Sequence, residues 1–174
     1  MVGWMGLSFV SVPTDVGLVV AAVTAEGVVA TSFDDGPEFR ERVRERMSPF
    51  RDEPGEPETA EVGRQLAAYF AGELKEFTVP VDWRLMSTTQ RRVLGLLFES
   101  VPYGRAVTYG DLAHETGIPA RAIGSIMGSN PIPIIVPCHR VVAGDGLGGF
   151  SGGTGVESKR WLLTMEGHLP PTLF

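Results

Sequence analysis

The sequence predicts an α+β fold in two parts. A small amino-terminal antiparallel sheet with a helix covers residues 1–83. A mainly helical part, residues 84–174, carries a helix-turn-helix and a candidate active-site segment. Three observations predict this. β-Branched runs with turn signals fill residues 7–33, helical periodicity with capping signals dominates from residue 87, and the charge balance changes between the parts. Residues 1–83 hold 7 Lys and Arg against 15 Asp and Glu, whereas residues 84–174 hold 8 against 6. With 174 residues, 43% hydrophobic and 21% charged, the chain can bury a real core.

In chain order, LSFVSV (7–12) alternates apolar and polar residues, as a half-buried strand does. The run from Val16 to Phe33 is rich in β-branched residues and breaks at Glu26-Gly27, a hairpin signal. PEFRERVRERM (37–47) repeats Phe39, Val43 and Met47 every fourth position, one narrow apolar stripe on a solvated helix. Residues 48–60, rich in proline and acid, predict a linker or loop. EVGRQLAAYFAGEL (61–74) predicts a helix burying Val62, Leu66, Tyr69, Phe70 and Leu74, and TVPVDWRLM (78–86) an extended link. Ser87 and Gln90 form a capping box, in which each side chain accepts from the other residue's backbone amide. The helix they open is predicted to bury Val93, Leu96, Leu97 and Val101. Thr108 and Asp111 repeat the signal before YGDLAHET, which Gly117 closes. Pro119 then opens ARAIGSIMGSN, so residues 108–129 have helix-turn-helix spacing. A stiff apolar segment, PIPIIVPCHRVV (131–142), leads to a loop with seven glycines between 144 and 155 and a last helix, ESKRWLLTMEG.

Composition narrows the function. No run of 18 apolar residues is present, so no membrane partner is expected. MVGWMGLSFVSVPTD lacks the basic start of a signal peptide and the Gly directly after Met that myristoylation needs. A single cysteine cannot form an intrachain disulfide and suits a reducing compartment, so a cytoplasmic location is expected. One Cys and three His (114, 139 and 168) match no zinc spacing, so neither a metal nor a cofactor is expected. The net charge of −6 does not suggest a polyanionic partner, but a local field rather than a total decides that, and the second part is mildly basic.

Two features carry chemistry. In ARAIGSIMGSN, Ala120, Ala122, Gly124, Ser125, Gly128 and Ser129 are small, and Arg121 is the one long side chain near the start. Such a helix either packs tightly on a neighbouring element or lies against DNA with Arg121 inserted into the duplex. The second feature is Cys138. A lone cysteine is often a small buried hydrophobe, but here His139 and Arg140 follow it directly. A thiol near pKa 8.5 is a poor nucleophile until something favours the thiolate. His139 can take the proton directly or through a water, and Glu166 in the apolar last helix can hold the imidazole. Adjacent residues in an extended segment point to opposite faces, so this pair needs a turn or a water relay. A cysteine hydrolase stays open on these residues, although such enzymes usually draw their histidine from a distant point in the chain.

PCHRVV preceded by GSNPIPIIV and followed by the glycine-rich loop and KRWLLTMEG, together with Y-G-x-L-A (109–113) and R-A-I-G (121–124), closely resembles the O6-alkylguanine-DNA alkyltransferases over residues 87–167. The first eighty residues match that family only in outline. The resemblance implies a DNA repair protein, a methylated-DNA–protein-cysteine S-methyltransferase. Its partner is double-stranded DNA containing O6-alkylguanine, with the damaged base flipped out of the stack. It implies that Cys138 accepts the alkyl group by in-line displacement and keeps it as a thioether, so each molecule acts once. His139 is then its water-mediated base and Glu166 the group orienting His139. Tyr109 presses on the 3′ phosphate of the target and donates a proton to the guanine ring. Arg121 fills the vacated stack, with Ala120, Gly124 and Ser125 on the same DNA-binding helix. Asn130 shapes the turn into the active segment. Ser151 and nearby amides bind O6, the carbonyls of Val136 and Cys138 accept from the exocyclic amine, and Phe150 offers its ring face to the base.

The chain departs from the family at three positions. Thr89 stands where an aromatic residue is usual, Leu94 where many members have tryptophan, and Phe150 where some have tyrosine. The first two bear on packing and the third on pocket polarity. The zinc ligands of some relatives' amino-terminal domains are missing. Two other readings are a lesion sensor of the same fold that binds without reacting, and the cysteine hydrolase. Known non-reactive relatives lack the cysteine, and a hydrolase turns over where repair consumes the protein. The chain is expected to act as a monomer.

Overall fold

A computed structural model describes residues 5–34, 36–53 and 57–171. The chain divides into two compact units, Met1–Leu85 and Met86–Phe174. In the first, β1 (Met5–Thr14), β2 (Gly17–Thr24) and β3 (Gly27–Ser32) form an antiparallel meander, with Phe9 opposite Ala22 and Val23 opposite Val28. Gly27 takes φ 133 at the hairpin, and a side chain there would collide with the Pro80 carbonyl.

The stretch expected to be a loop is structured on both sides of residues 54–56, which lie outside the described residues. β4 (Phe50–Asp52) runs parallel to β1 at the sheet edge, in the order β3-β2-β1-β4. Its pairing is carried by main-chain groups, such as the Glu53 amide donating to the Leu7 carbonyl at 2.9 Å, and leaves no side-chain pattern to read. Helix α2 (Pro57–Phe70) likewise begins at Pro57 rather than Glu61, a proline being well placed where a helix has no use for its amide. It ends before Leu74, which is only half-buried, while Val62, Leu66, Tyr69 and Phe70 are buried as expected.

Both faces of the sheet are covered. Helix α1 (Pro37–Met47) seats its predicted stripe of Phe39, Val43 and Met47 against Leu7, Val20, Ala22 and Val29. Phe9 meets Phe39 edge to face, ring centroids 6.3 Å apart. Its neighbours Ser8 and Val10 point the other way, towards α2. The Ser8 and Thr59 hydroxyls are 2.7 Å apart, and Gly63 lets α2 approach so closely that a Cβ there would lie 2.8 Å from Val10.

In the second unit α3 (Thr88–Ser100) opens with both bonds of the Ser87–Gln90 capping box. It buries Val93, Leu94 and Leu97. Leu96, expected inside, is half-buried, because the inner face turns towards Leu94. β5 (Val107–Thr108) pairs in parallel with β6 (Val141–Val142). Helix α4 (Tyr109–Thr116) has the Thr108–Asp111 capping box and ends at Gly117, whose φ of 75 suits glycine. Helix α5 (Ala120–Gly128) follows Pro119 and packs on α4, and α6 (Val156–Met165) comes last. Among the described residues, no helix is long and apolar enough to cross a membrane.

Candidate active site

The segment before Cys138 is not the extended run that its composition suggests. The Val136 amide donates to the Ile132 carbonyl at 2.9 Å, and buried Ile134 sits at φ 76. A β-branched residue rarely adopts that left-handed conformation, which costs on the order of 1–3 kcal/mol. Asn130 braces the turn from inside. Its Nδ2 donates to the Val136 carbonyl and its Oδ1 accepts from the Ile132 amide, both at 2.9 Å. The chain then enters a single 3-10 turn, Cys138–Arg140, closed by the Val141 amide donating to the Cys138 carbonyl. The turn takes Cys138 and His139 out of the extended geometry in which neighbouring side chains point to opposite faces.

All three residues of the turn are buried, Cys138 being 6% exposed. His139 Nε2 and Glu166 Oε2 are 2.7 Å apart. Arg140 reaches the same carboxylate, Nε donating to Oε1 at 2.8 Å and Nη2 to Oε2 at 3.1 Å, while Nη1 donates to the Val101 carbonyl at 2.9 Å. Fully buried Lys159 donates from Nζ to the carbonyls of Val141 (2.6 Å) and Gly149 (3.0 Å).

These neighbours set the charges. Burial alone would raise Glu166, but the hydrogen bonds from His139 and Arg140, with the guanidinium charge, outweigh it and hold the carboxyl at about 2. Burial pushes His139 below its ordinary value, against the pull of Glu166, so the ring rests neutral. A neutral imidazole has one N–H, and donating it from Nε2 to the carboxylate leaves Nδ1 as the accepting nitrogen. Burial also raises the Cys138 thiol. The Asn130 side chain, the Lys159 charge and the backbone amides of Cys138 and His139 offset this in part. The resting pair is therefore thiol and imidazole, and the thiolate must form when needed. Burial lowers Lys159 to about 8, opposed by Cys138.

Cys138 lines a cavity of about 360 Å³ together with Tyr109, Gly124, Met127, Gly128, Gly149, Phe150 and Ser151. Tyr109 is half-buried, its phenol pushed up by burial and by Cys138. Gly148 (φ 75) passes so close to it that a Cβ would lie 2.9 Å from the ring. Ser151 Oγ donates to the Gly128 carbonyl at 3.3 Å, tying the glycine-rich loop to the end of α5.

Helix α5 decides between its two readings. Ile123, Ile126 and Met127 face inward. Ala120, Arg121, Ser125 and Gly128 are exposed, and side chains at Gly124 or Gly128 would meet nothing within 4 Å. The small residues are not pressed on a neighbouring element and form an open face beside the cavity.

Val136 departs from its expected place. It is fully buried and does not line the cavity, and its carbonyl already accepts from Asn130 Nδ2 and from the Cys138 amide at 2.8 Å. With both lone pairs used, it has nothing to offer an exocyclic amine. Sequence reasoning also passed over Arg140 and Lys159 as members of the site. Their signals were slight: Arg140 adjoins His139, and Lys159 precedes Glu166 by two helical turns and so shares its face.

A family model described as 6-O-methylguanine DNA methyltransferase, DNA binding domain, matches residues 88–168. A Mycobacterium tuberculosis protein named methylated-DNA–protein-cysteine methyltransferase is 48% identical over 116 residues, 63% of this chain and 68% of the relative. The chain belongs to the 6-O-methylguanine DNA methyltransferase family. The crystal structure of Mycobacterium tuberculosis OGT in complex with DNA matches with a TM-score of 0.74 at 35% identity, covering 93% of this chain and 92% of that one. The family's sequence neighbourhood also holds a Thermus thermophilus protein named DNA base-flipping protein, 43% identical over 110 residues, 62% of this chain and 73% of the relative.

Proposed function

We propose that this chain repairs DNA by moving an alkyl group from O6 of guanine in double-stranded DNA to its own Cys138, once per molecule. The observation that carries the reading is the buried thiol in the cavity wall beside a carboxylate-held imidazole, next to the open small-residue face of α5. Family membership and the DNA complex of the mycobacterial relative support the same partner. Residues 84–174 form the DNA-binding and alkyl-transfer domain and residues 1–83 a separate α/β domain. The protein works as a monomer in the cytoplasm.

The flipped base enters the cavity, Arg121 fills the vacated stack, and Ala120, Gly124 and Ser125 let the duplex backbone come close. His139 takes the thiol proton at Nδ1 through a water, and Glu166 stabilises the imidazolium. The sulfur then attacks the alkyl carbon. An S–C bond forms as the C–O6 bond breaks, and the electron pair passes to guanine, which takes a proton from Tyr109. The products are restored guanine and a thioether. Removing a thioether alkyl group needs a second strong nucleophile, so the protein is spent.

A lesion sensor is the second reading, favoured by the name of the Thermus relative. Cys138, directly followed by the carboxylate-held His139, argues for transfer. Intact-mass analysis after incubation with an O6-methylguanine duplex separates the two. One methyl per chain, on the peptide holding Cys138, is the expected result, with Cys138→Ser inert but still binding DNA. Binding without added mass, or multiple turnover with unmodified Cys138, defeats the proposal.

A further inference from the structure

We propose that Arg140 is a positioning residue for the alkyl-transfer reaction: its fork on Glu166 keeps the His139–Glu166 pair free of an extra proton, so that the imidazole can receive the one from Cys138. The inference rests on the alkyl-transfer reading.

Geometry carries it. Glu166 is 4% exposed and His139 not at all, so the carboxylate and imidazole meet in a medium that favours sharing a proton over standing as one bare charge. A buried pair of this kind titrates as a unit. With a bare carboxylate, it would take up a proton near neutrality, as imidazolium–carboxylate or as imidazole–carboxylic acid. Either form leaves no acceptor for the thiol proton. Arg140 removes the reason for that uptake. It places a permanent charge on both carboxylate oxygens, at 2.8 and 3.1 Å, in the bidentate geometry that only a guanidinium supplies. The guanidinium is itself held by the Val101 carbonyl and by the Tyr103 ring, 5.9 Å from its centre.

The charged groups facing His139 are Glu166, at the end of α6, Arg140 in its own turn and Lys159 on α6, while the titratable Tyr103 faces Glu166 and Arg140 from beyond α3. The two cations lower the imidazole and the carboxylate raises it. Lys159 engages the carbonyls of Val141 and Gly149, so Arg140 is the cation bonded to the carboxylate. A bland alternative is that Arg140 merely ties the 3-10 turn to the end of α3. That role predicts a loss of rate that is the same at every pH.

The test uses the intact chain. The single-turnover rate on an O6-methylguanine duplex is followed from pH 5 to 9, and the His139 ring nitrogens are followed by NMR without DNA. In the wild type the ring should read neutral, with its proton on Nε2, at pH 6 and above. In Arg140→Gln the acid limb of the rate profile should move up by about one pH unit or more, so that the rate at pH 6 falls about tenfold while the rate at pH 9 changes little. The NMR titration should move with it. Arg140→Lys restores the charge with a poorer fork and should move both in the same direction by less, and it decides the matter if the Gln variant does not fold. A limb unmoved in the folded variants, or a wild-type imidazole charged at pH 7, overturns the proposal. A wild type that transfers no alkyl group defeats the repair reading instead, and the NMR titration still judges Arg140.

Discussion

Buried polar groups are arranged differently in the two units. In the amino-terminal unit they form small closed sets. Ser8 meets Thr59, Thr24 and Arg84 meet Asp82, and Gln65 binds the Thr78 hydroxyl and amide. Each set joins one element to another stretch of the same unit. In the carboxy-terminal unit His139 and Arg140 share the Glu166 carboxylate, and buried Lys159 acts on the thiol of Cys138, the residue before His139. Burying that many ionisable groups is expensive even when they are paired. The contrast separates two uses of interior polarity: in the first unit short-range hydrogen bonds and one ion pair, Arg84 with Asp82, tie the chain together, whereas in the second a shared charge network gathers around a single carboxylate.

The contrast is sharpened most by breaking the network. His139→Ala or Glu166→Gln should lower the transfer rate by about 10²–10⁴, the range for a positioned acid or base. The double variant should be little slower than the worse single one, because the groups act as a unit. Additive losses in single-turnover kinetics would show that they act independently.

Acid should separate the units next. The folded value of Glu166, about 2, lies below its ordinary 4.5. Its contribution to stability is therefore complete above pH 4.5 and is lost as pH falls towards 2. Asp82 is also lowered; burial opposes the shift, and hydrogen bonds from Arg84 and Thr24 outweigh it. Glu166→Gln should flatten the acid limb of stability that hydrogen exchange reports for the carboxy-terminal unit and leave that of the other unit in place. A flattened limb in both units would contradict the assignment.

Gln65→Ala tests the other side of the comparison. It leaves the Thr78 and Val79 amides without their acceptor and should cost about 1–3 kcal/mol by denaturant melting. The transfer rate per folded molecule should not change. A changed rate would mean that the closed sets also serve the chemistry.

The smallest effect belongs to a residue outside the network. Arg121→Ala should slow repair in duplex DNA by roughly tenfold, about 1.4 kcal/mol of lost support for the flipped state. With free O6-benzylguanine, if the pocket admits it, the rate should be nearly unchanged. Equal losses on both substrates would assign Arg121 to the fold.

What could be read from the sequence was local. Capping boxes at Ser87 and Thr108 and the stripe on α1 are decided within a few residues, and all three stand as read. β4 was not legible, because a three-residue strand paired through its main chain imposes no side-chain pattern. Nor was the exchange of Leu96 for Leu94, which depends on what surrounds α3. Around Cys138 the order of residues could be read but not their environment. The raised thiol and the enrolment of Arg140 and Lys159 follow from burial, and a charged side chain in a sequence looks the same whether it ends in water or beneath a helix.

The covering of Cys138 has a consequence for how long the protein keeps. A sulfur that can be spent only once must survive its wait among whatever peroxides and small electrophiles surround it. Attack by both follows thiolate character and exposure. Cys138 is 6% exposed and its thiol is held in the protonated form. Casual oxidation and stray alkylation therefore meet a shielded, weakly nucleophilic atom, and the stock of competent molecules ages slowly until a flipped base arrives.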